Sequence, residues 1–258
     1  MDYINSHIDA FKGGEKSKKA TYLILCASII AWGSGAVVND TLVDYDSRHG
    51  TNTATDSKTV QVVTIYFQVM ASFITQIVFT TLPGVESLVW SNYVLLSTFA
   101  KHILIDGLSP PVPVMIMSLA VFVCLRLSSS GMAPEKFGRF AFAGFAALNV
   151  FVFKLDPETP LLETFPGLEG DALVIGLLLF EVLAFQQAWL CANALTNGSD
   201  EMNAFFWLLN LGLMIKHHVV DEAGPPLAFG ILFVLMAAWL NYDTFLKDKI
   251  TSVKKKSQ

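Results

Sequence analysis

The sequence contains few charged residues. Only 15% of its 258 residues are Asp, Glu, Lys or Arg, whereas about a quarter of an ordinary soluble domain is charged. Hydrophobic residues make up 53% of the chain, and the mean hydropathy is +0.52. One membrane span needs about twenty apolar residues, so this length has room for roughly seven or eight spans and no sizeable soluble domain. The composition therefore indicates an all-α integral membrane protein.

Residues that would indicate an enzyme or a cofactor site are also scarce. Cys26, Cys124 and Cys191 lie inside apolar runs and lack the spacing of a disulfide framework or a metal site. The five histidines form no His-Glu-x-x-His pair, and no Gly-x-Ser-x-Gly motif occurs. The basic residues of this chain lack the interleaved aromatic side chains that are typical of nucleic-acid-binding surfaces, so we expect no nucleic-acid partner. We therefore expect no cofactor and disfavour an enzymatic role, while a metal ligand set stays undecided.

Eight apolar segments are long enough to predict membrane spans. They lie at about 20–38, 60–82, 88–106, 111–127, 138–154, 172–195, 203–221 and 226–245. The chain then divides into a cytosolic basic segment 1–19, a four-helix membrane unit 20–127, a cytosolic linker 128–137, a second four-helix unit 138–246 and a cytosolic basic tail 247–258.

The basic residues indicate the orientation of these spans. Most of the seventeen Lys and Arg residues lie in the N-terminal segment, the linker and the tail. The positive-inside rule places those three segments, and hence both termini, in the cytosol. The loops on the opposite side are rich in acidic residues, which attract cations.

The C-terminal residues predict a location. The chain ends Lys255-Lys256-Ser257-Gln258, which matches the di-lysine signal that retrieves proteins to the endoplasmic reticulum. We therefore predict a multi-pass protein of the endoplasmic reticulum membrane, because such signals are read by a receptor on a cytosolic tail. The alternative is a basic cluster that binds anionic lipid.

One charged stretch occurs twice in the sequence. The segment 101–111, Lys-His-Ile-Leu-Ile-Asp-Gly-Leu-Ser-Pro-Pro, returns at 216–226 with its Lys, His, Asp and both prolines in register. A second match, 113 residues apart, joins FQVMA at 67–71 to FEVLA at 180–184. The two four-helix units are therefore predicted to be tandem repeats in the same orientation, an arrangement that transporters use.

The repeat supplies the candidate site residues. Ionisable residues within apolar helices are costly and usually functional. We expect Glu181 and Gln68 to form a site near the middle of the membrane. A titratable vestibule on the luminal side would contain Lys101, His102, Asp106, Lys216, His217, His218 and Asp221. Helical spacing of four residues predicts that His102 stacks with Asp106, His217 with Asp221 and His218 with Glu222. Alternatively, these groups only join neighbouring helices or reach the interface.

Three functions fit this pattern. The first is a transporter or channel for a small cation or a proton-coupled solute, with the lipid bilayer and the cation or proton as partners. The second is an assembly factor or scaffold without catalysis, whose partner is another membrane protein or a second copy of the chain. The third is an integral-membrane lipid-modifying enzyme that uses the histidines and carboxylates as metal ligands or acid-base groups.

Overall fold

The structure, a computed structural model, describes residues 26–27, 29–30, 33, 35, 37–108, 112–222 and 227–247. The predicted N-terminal segment 1–19 therefore lies outside the described residues, and the predicted first span is described only in part, with residues 26–27, 29–30 and 33 helical. The di-lysine tail with Lys255 and Lys256 and both Pro-Pro pairs also lie outside the described residues.

The described residues form helices and loops without strands. The helices are α1 Val38–His49, α2 Ser57–Thr80, α3 Val85–Leu104, α4 Val112–Ser129, α5 Glu135–Leu155, α6 Glu158–Thr164, α7 Gly170–Thr196, α8 Asp200–Val219 and α9 Leu227–Asn241. A 3-10 turn, Thr53–Thr55, joins α1 to α2, and a π-helical turn, Tyr242–Leu246, follows α9. The all-α prediction is confirmed for this part of the chain.

Four of these helices, α2, α4, α5 and α7, are long and apolar enough to cross a membrane. Helices also form at the predicted spans 88–106 and 203–221, as α3 and α8, but their polar residues make them less apolar than the other four. Helix α9 has only 15 residues. The predicted count of eight spans is therefore not confirmed; four described helices meet the requirement by length and composition.

Local sequence explains where the helices begin. Asp56 precedes α2, and its carboxylate accepts hydrogen bonds from Thr59 N at 2.8 Å and from the Thr59 hydroxyl. Ser199 caps α8 by accepting from Met202 N at 3.3 Å. Such caps satisfy amide groups that the first helical turn leaves without a partner.

Helices α2 and α7 pack together and run in the same direction. In the first half of each helix, the rings of Tyr66 and Phe180 are 5.4 Å apart. Near their last turns, Asn193 Nδ2 donates to Thr80 Oγ1 at 3.0 Å. Helix α3 packs on α2, α8 packs on α7, and α5 packs on both α7 and α4. The pair α2 and α7 thus lies at the centre of the described bundle.

One face of α4 is apolar and exposed. Val112, Ile116, Leu119, Val123 and Leu127 recur at helical spacing, and all five are exposed. In water such a row of large aliphatic side chains would be a costly surface. The same surface is typical of a helix that contacts lipid, which is consistent with a membrane protein.

The loop after α7 approaches the end of α2 closely. Asn197 and Gly198 both adopt left-handed backbone conformations, with φ of 58° and 72°. A Cβ atom added to Gly198 would lie 2.6 Å from the carbonyl oxygen of Thr81. Only glycine therefore fits at this position without moving the backbone.

We expect Gly198→Ala to lower the free energy of unfolding by about 2–4 kcal/mol, because strain at positive φ adds to overlap with a backbone carbonyl. Thermal unfolding of the purified protein in detergent measures the change. The matched control is Gly144→Ala in α5, where an added Cβ has no neighbour within 4 Å. It should be neutral or raise stability by about 0.5–1 kcal/mol. Equal unfolding temperatures for the two variants would contradict this account of the loop.

Candidate functional site

The first copy of the repeated stretch forms a charged cluster at the end of α3. Lys101 Nζ donates to Asp106 Oδ2 at 2.8 Å and also to the side-chain oxygen of Gln68 on α2. His102 Nδ1 lies 2.6 Å from the same Asp106 oxygen. The helix ends at Leu104, and the chain turns so that Leu108 N donates to the His102 carbonyl at 3.0 Å. This turn brings Asp106 back over Lys101 and His102.

The second copy forms a similar cluster at the end of α8. Lys216 Nζ donates to Asp221 Oδ2 at 2.8 Å and to Glu181 Oε2 on α7 at 2.7 Å. His217 Nδ1 lies 2.8 Å from Asp221 Oδ2. In addition, Lys154 Nζ at the end of α5 donates to Glu181 Oε1 at 2.8 Å. Glu181 thus accepts from two ammonium groups.

The two clusters have the same charge balance. In the first, Lys101 faces Asp106, while Gln68 supplies a neutral oxygen. In the second, two lysines face two carboxylates. Each cluster is therefore neutral overall when its histidine is neutral. Such pairing limits the cost of ionised groups within apolar helices.

Both histidines are buried and similarly oriented. The side chains of His102 and His217 are 5% and 8% exposed, and in each case Nδ1 faces the aspartate four residues later. The Nε2 atoms of both rings have no hydrogen-bond partner among the described residues. For His217, however, Nε2 lies 3.9 Å from Glu181 Oε2. The His217 imidazole therefore lies between two carboxylates, hydrogen-bonded to one and close to the other.

The structure brings most of the predicted site residues together, although their grouping differs from the prediction. Gln68 contacts Lys101, and Glu181 contacts Lys216. The site predicted near the middle of the membrane and the vestibule therefore merge into one cluster at the end of α3 and one at the end of α8. The predicted stacking of His102 with Asp106 and of His217 with Asp221 is observed.

The predicted stacking of His218 with Glu222 is wrong. Helix α8 ends at Val219, and Glu222 adopts a left-handed conformation with φ of 49°. The helical spacing of four therefore does not extend to this residue. Instead, His218 Nδ1 lies 3.5 Å from Arg48 Nη2, and the His218 carbonyl accepts from Arg48 Nη1 at 3.3 Å. His218 belongs to the contact between α1 and α8.

Sequence reasoning missed Lys154 and Arg48. It assigned neither residue to the predicted site. One available signal was the substitution of Glu181 for Gln68 at matched positions of the repeat. An additional carboxylate in an apolar helix is costly unless a cation pairs with it, and Lys154 is that cation.

The loop after α1 is built around Asp46. Its carboxylate accepts from Thr51 Oγ1, Thr53 Oγ1, Thr53 N and Ala54 N at 2.6–2.8 Å. Partial burial pushes the pKa of Asp46 upward, but these hydrogen bonds outweigh burial and lower the pKa to about 2 from its ordinary 3.8. The loop positions His49, whose Nε2 hydrogen-bonds the Glu222 carbonyl at 3.2 Å. Helix α1 is thereby fixed against the end of α8.

The second cluster contains a set of groups that could bind a metal ion. The ligand atoms of Glu181, His217 and Asp221 all lie within 4.8 Å of one another. However, the Lys216 ammonium hydrogen-bonds both carboxylates. A metal ion would have to displace Lys216 from these oxygens.

Comparison with known proteins adds no further assignment. No protein-family model, no curated protein and no solved structure matches this chain.

We expect Glu181→Gln to lower the free energy of unfolding by about 1–3 kcal/mol, because it leaves Lys154 and Lys216 with one carboxylate. Breaking a fully buried pair costs about 3–5 kcal/mol, and both lysines are about half exposed, which reduces the effect. Adding Lys154→Gln should recover part of the loss, because the second cluster then has the same charges as the first. Thermal unfolding in detergent measures both variants. A double variant that is less stable than Glu181→Gln alone would contradict the charge balance.

We expect Asp46→Asn to lower stability by about 1–2 kcal/mol above pH 4, after allowance for solvent screening. Because the pKa of Asp46 is depressed in the folded state, its contribution is present above pH 3.8 and is lost as pH falls toward 2. The difference from the wild type should therefore shrink over that interval in unfolding measurements. The exposed Asp40→Asn is the control, with an expected change below about 0.5 kcal/mol. A pH-independent difference would show that the hydrogen bonds do not depend on ionisation.

Proposed function

We propose that this protein is a multipass membrane transporter or channel that moves protons, or a small cation or solute coupled to them. The observation that supports this most directly is the placement of His217. Its buried imidazole hydrogen-bonds Asp221 through Nδ1, and its Nε2 faces Glu181 Oε2 at 3.9 Å. Imidazole is the side chain whose ordinary titration falls near physiological pH. A proton can therefore arrive on one ring nitrogen and leave from the other.

In this proposal, the charge balance of the second cluster couples proton binding at His217 to the release of a cation. The second cluster is neutral when His217 is neutral, so a proton on the ring adds one positive charge. An unbalanced charge is costly in an apolar environment. Protonation therefore favours release of another cation from Glu181 and Asp221, beginning with Lys216, which hydrogen-bonds both. A small cation that competes for the same oxygens would be coupled to the proton in the same way.

The first cluster has a different role in this proposal. Gln68 occupies the position that matches Glu181, so His102 has only Asp106 as a carboxylate partner. It can accept a proton without passing it to a second carboxylate. We assign it as a titratable entrance to the first half of the protein.

The proposed architecture is eight spans in two tandem four-helix units with the same orientation. Two observations support it. The residues matched by the sequence repeat make corresponding contacts in the two clusters. In addition, Thr80 and Asn193, which are 113 residues apart like Gln68 and Glu181, contact each other between α2 and α7. Matched residues meet in this way where a pseudo-two-fold axis passes between two copies.

The orientation and the location remain parts of the proposal. The positive-inside rule places both clusters toward the lumen of the endoplasmic reticulum, with both termini in the cytosol. The acidic luminal loops would then attract cations to the clusters. A second copy of the chain or another membrane protein is compatible with this arrangement.

Proton flux into proteoliposomes under a pH gradient, followed with an enclosed pH-sensitive dye, tests the function. His217→Gln should lower the flux at least tenfold, because glutamine cannot accept and release a proton in this pH range. The wild-type flux should vary with pH, because the relay requires the imidazole to take up and release a proton. His49→Gln is the matched control, since His49 lies in the α1 contact and not in either cluster. Flux that is unchanged in His217→Gln would reject the relay.

A further inference from the structure

A layer of uncharged polar side chains lies inside the bundle, beyond the first cluster. Gln76 on α2, and Ser91 and Asn92 on α3, are each no more than 1% exposed. Gln76 Nε2, Ser91 Oγ and both polar atoms of the Asn92 amide have no hydrogen-bond partner among the described residues. Buried polar groups are normally paired, because an unpaired one is costly. Several hydrogen-bonding positions in this layer are therefore filled by no described residue.

The layer continues a polar series along the interface of α2 and α3. The first member is Gln68 with Lys101, and the next is Ser72 with Thr98, whose hydroxyls are 2.6 Å apart. These two contacts fix the antiparallel register of the helices, and this register places Gln76 near the level of Asn92. Further along, Thr80 accepts from Asn193.

The series is long enough to matter for crossing a membrane. Gln68 and Thr80 are separated by about 18 Å along α2, at about 1.5 Å per residue. The hydrocarbon part of a bilayer is about 30 Å thick. Successive members of the series lie about 6 Å apart along the helix, a gap that one or two water molecules can bridge. Asn193 Oδ1 is a further buried acceptor without a partner among the described residues, at the far end of the series.

The matched positions of the second half are aromatic. Phe185 and Trp189 on α7 match Ser72 and Gln76 on α2 in the register that aligns Glu181 with Gln68. Their rings contact Phe206 on α8, with centroids 5.6 Å apart in both cases.

The same replacement occurs on the partner helix. Phe206 and Trp207 on α8 match Ser91 and Asn92 on α3 in the register that aligns Lys216 with Lys101. Trp207 also contacts Trp189, at 5.5 Å between ring centroids. Four polar residues in the first half thus correspond to four mutually packed rings in the second half.

We infer that the interface of α2 and α3 binds an internal chain of water molecules, held by Gln76, Ser91 and Asn92, that connects the His102 cluster to the Thr80–Asn193 pair. The corresponding interface of α7 and α8 is closed to water by its aromatic rings. The bound ligand is water because the layer offers neutral donors and acceptors in mixture, which match water and leave an ion without a counter-charge.

The role of this chain rests on the proposed function. A proton that enters at His102 passes along the water molecules by successive exchange of hydrogen bonds, and one proton leaves near Asn193 for each that enters. No net chemical change occurs in the protein. In this scheme the water chain is the path through the first half, and the His217 relay in the second cluster is still required for flux.

Accessibility of introduced thiols to silver ions tests the water chain without relying on transport. In a background lacking Cys26, Cys124 and Cys191, the matched pair is Ser91→Cys and Phe206→Cys. Membranes are exposed to silver ions, and thiols that remain free are then labelled with a maleimide after denaturation. The Ser91→Cys thiol should react at least tenfold faster than the Phe206→Cys thiol. This comparison works against the expected result, because replacing phenylalanine with cysteine opens space beside the new thiol and by itself would speed its reaction with silver ions.

A second pair guards against an effect of side-chain size. Thr98→Cys and Leu213→Cys occupy matched positions, and both change the volume only modestly. The same tenfold difference is expected. Equal rates within both pairs would overturn the water chain.

Proton flux separates this inference from the proposed function. Gln76→Leu should lower wild-type flux at least tenfold, because it removes the amide while keeping similar bulk. If the wild type carries no flux but Ser91→Cys reacts rapidly, the transport proposal fails and the hydrated layer stands. If flux is present but the thiols of each pair react equally slowly, the water chain is rejected and the transport proposal stands.

Discussion

Ionised side chains within apolar helices constrain this structure more than any other feature. Each lysine in the two clusters must find an acceptor, and each carboxylate must find a donor, because the surrounding helices offer no other compensation. The hydrogen bond from Lys101 to Gln68 joins α3 to α2, and the bond from Lys216 to Glu181 joins α8 to α7. These hydrogen bonds therefore hold α3 beside α2 and α8 beside α7, while apolar packing joins the other helices.

Much of this organisation could be predicted from the sequence, since apolar runs and a doubled motif are local patterns. The helices at 60–82, 138–154 and 172–195 were predicted within a few residues of α2, α5 and α7. Helical spacing predicted the pairing of His102 with Asp106, although Asp106 lies past the end of α3 and the turn after the helix brings it to His102. Spacing did not predict the grouping of Gln68 with Lys101, because that grouping depends on how two helices pack. The contact of His218 with Arg48 depends on where α8 ends, and hydropathy does not specify that end.

The two halves combine a shared electrostatic design with different interiors. Both clusters hold a lysine between an aspartate and a side-chain oxygen from the neighbouring helix. Beyond the clusters, the interface of α2 and α3 buries Gln76, Ser91 and Asn92, whereas the matched interface of α7 and α8 buries Phe206, Trp207 and their aromatic partners. In the proposed repeat, the charged ends are thus maintained while the interiors have specialised.

The contact of α1 with the end of α8 has a consequence for how the chain is assembled. Arg48 and His49 belong to the first half, yet they bind backbone carbonyls of His218 and Glu222 in the second. A duplicated unit that contacts only itself could equally well exist as two separate chains. Once a loop of one half closes on the other, the halves are no longer interchangeable. During synthesis, α1 can make this contact only after the end of α8, 170 residues later in the chain, has been made.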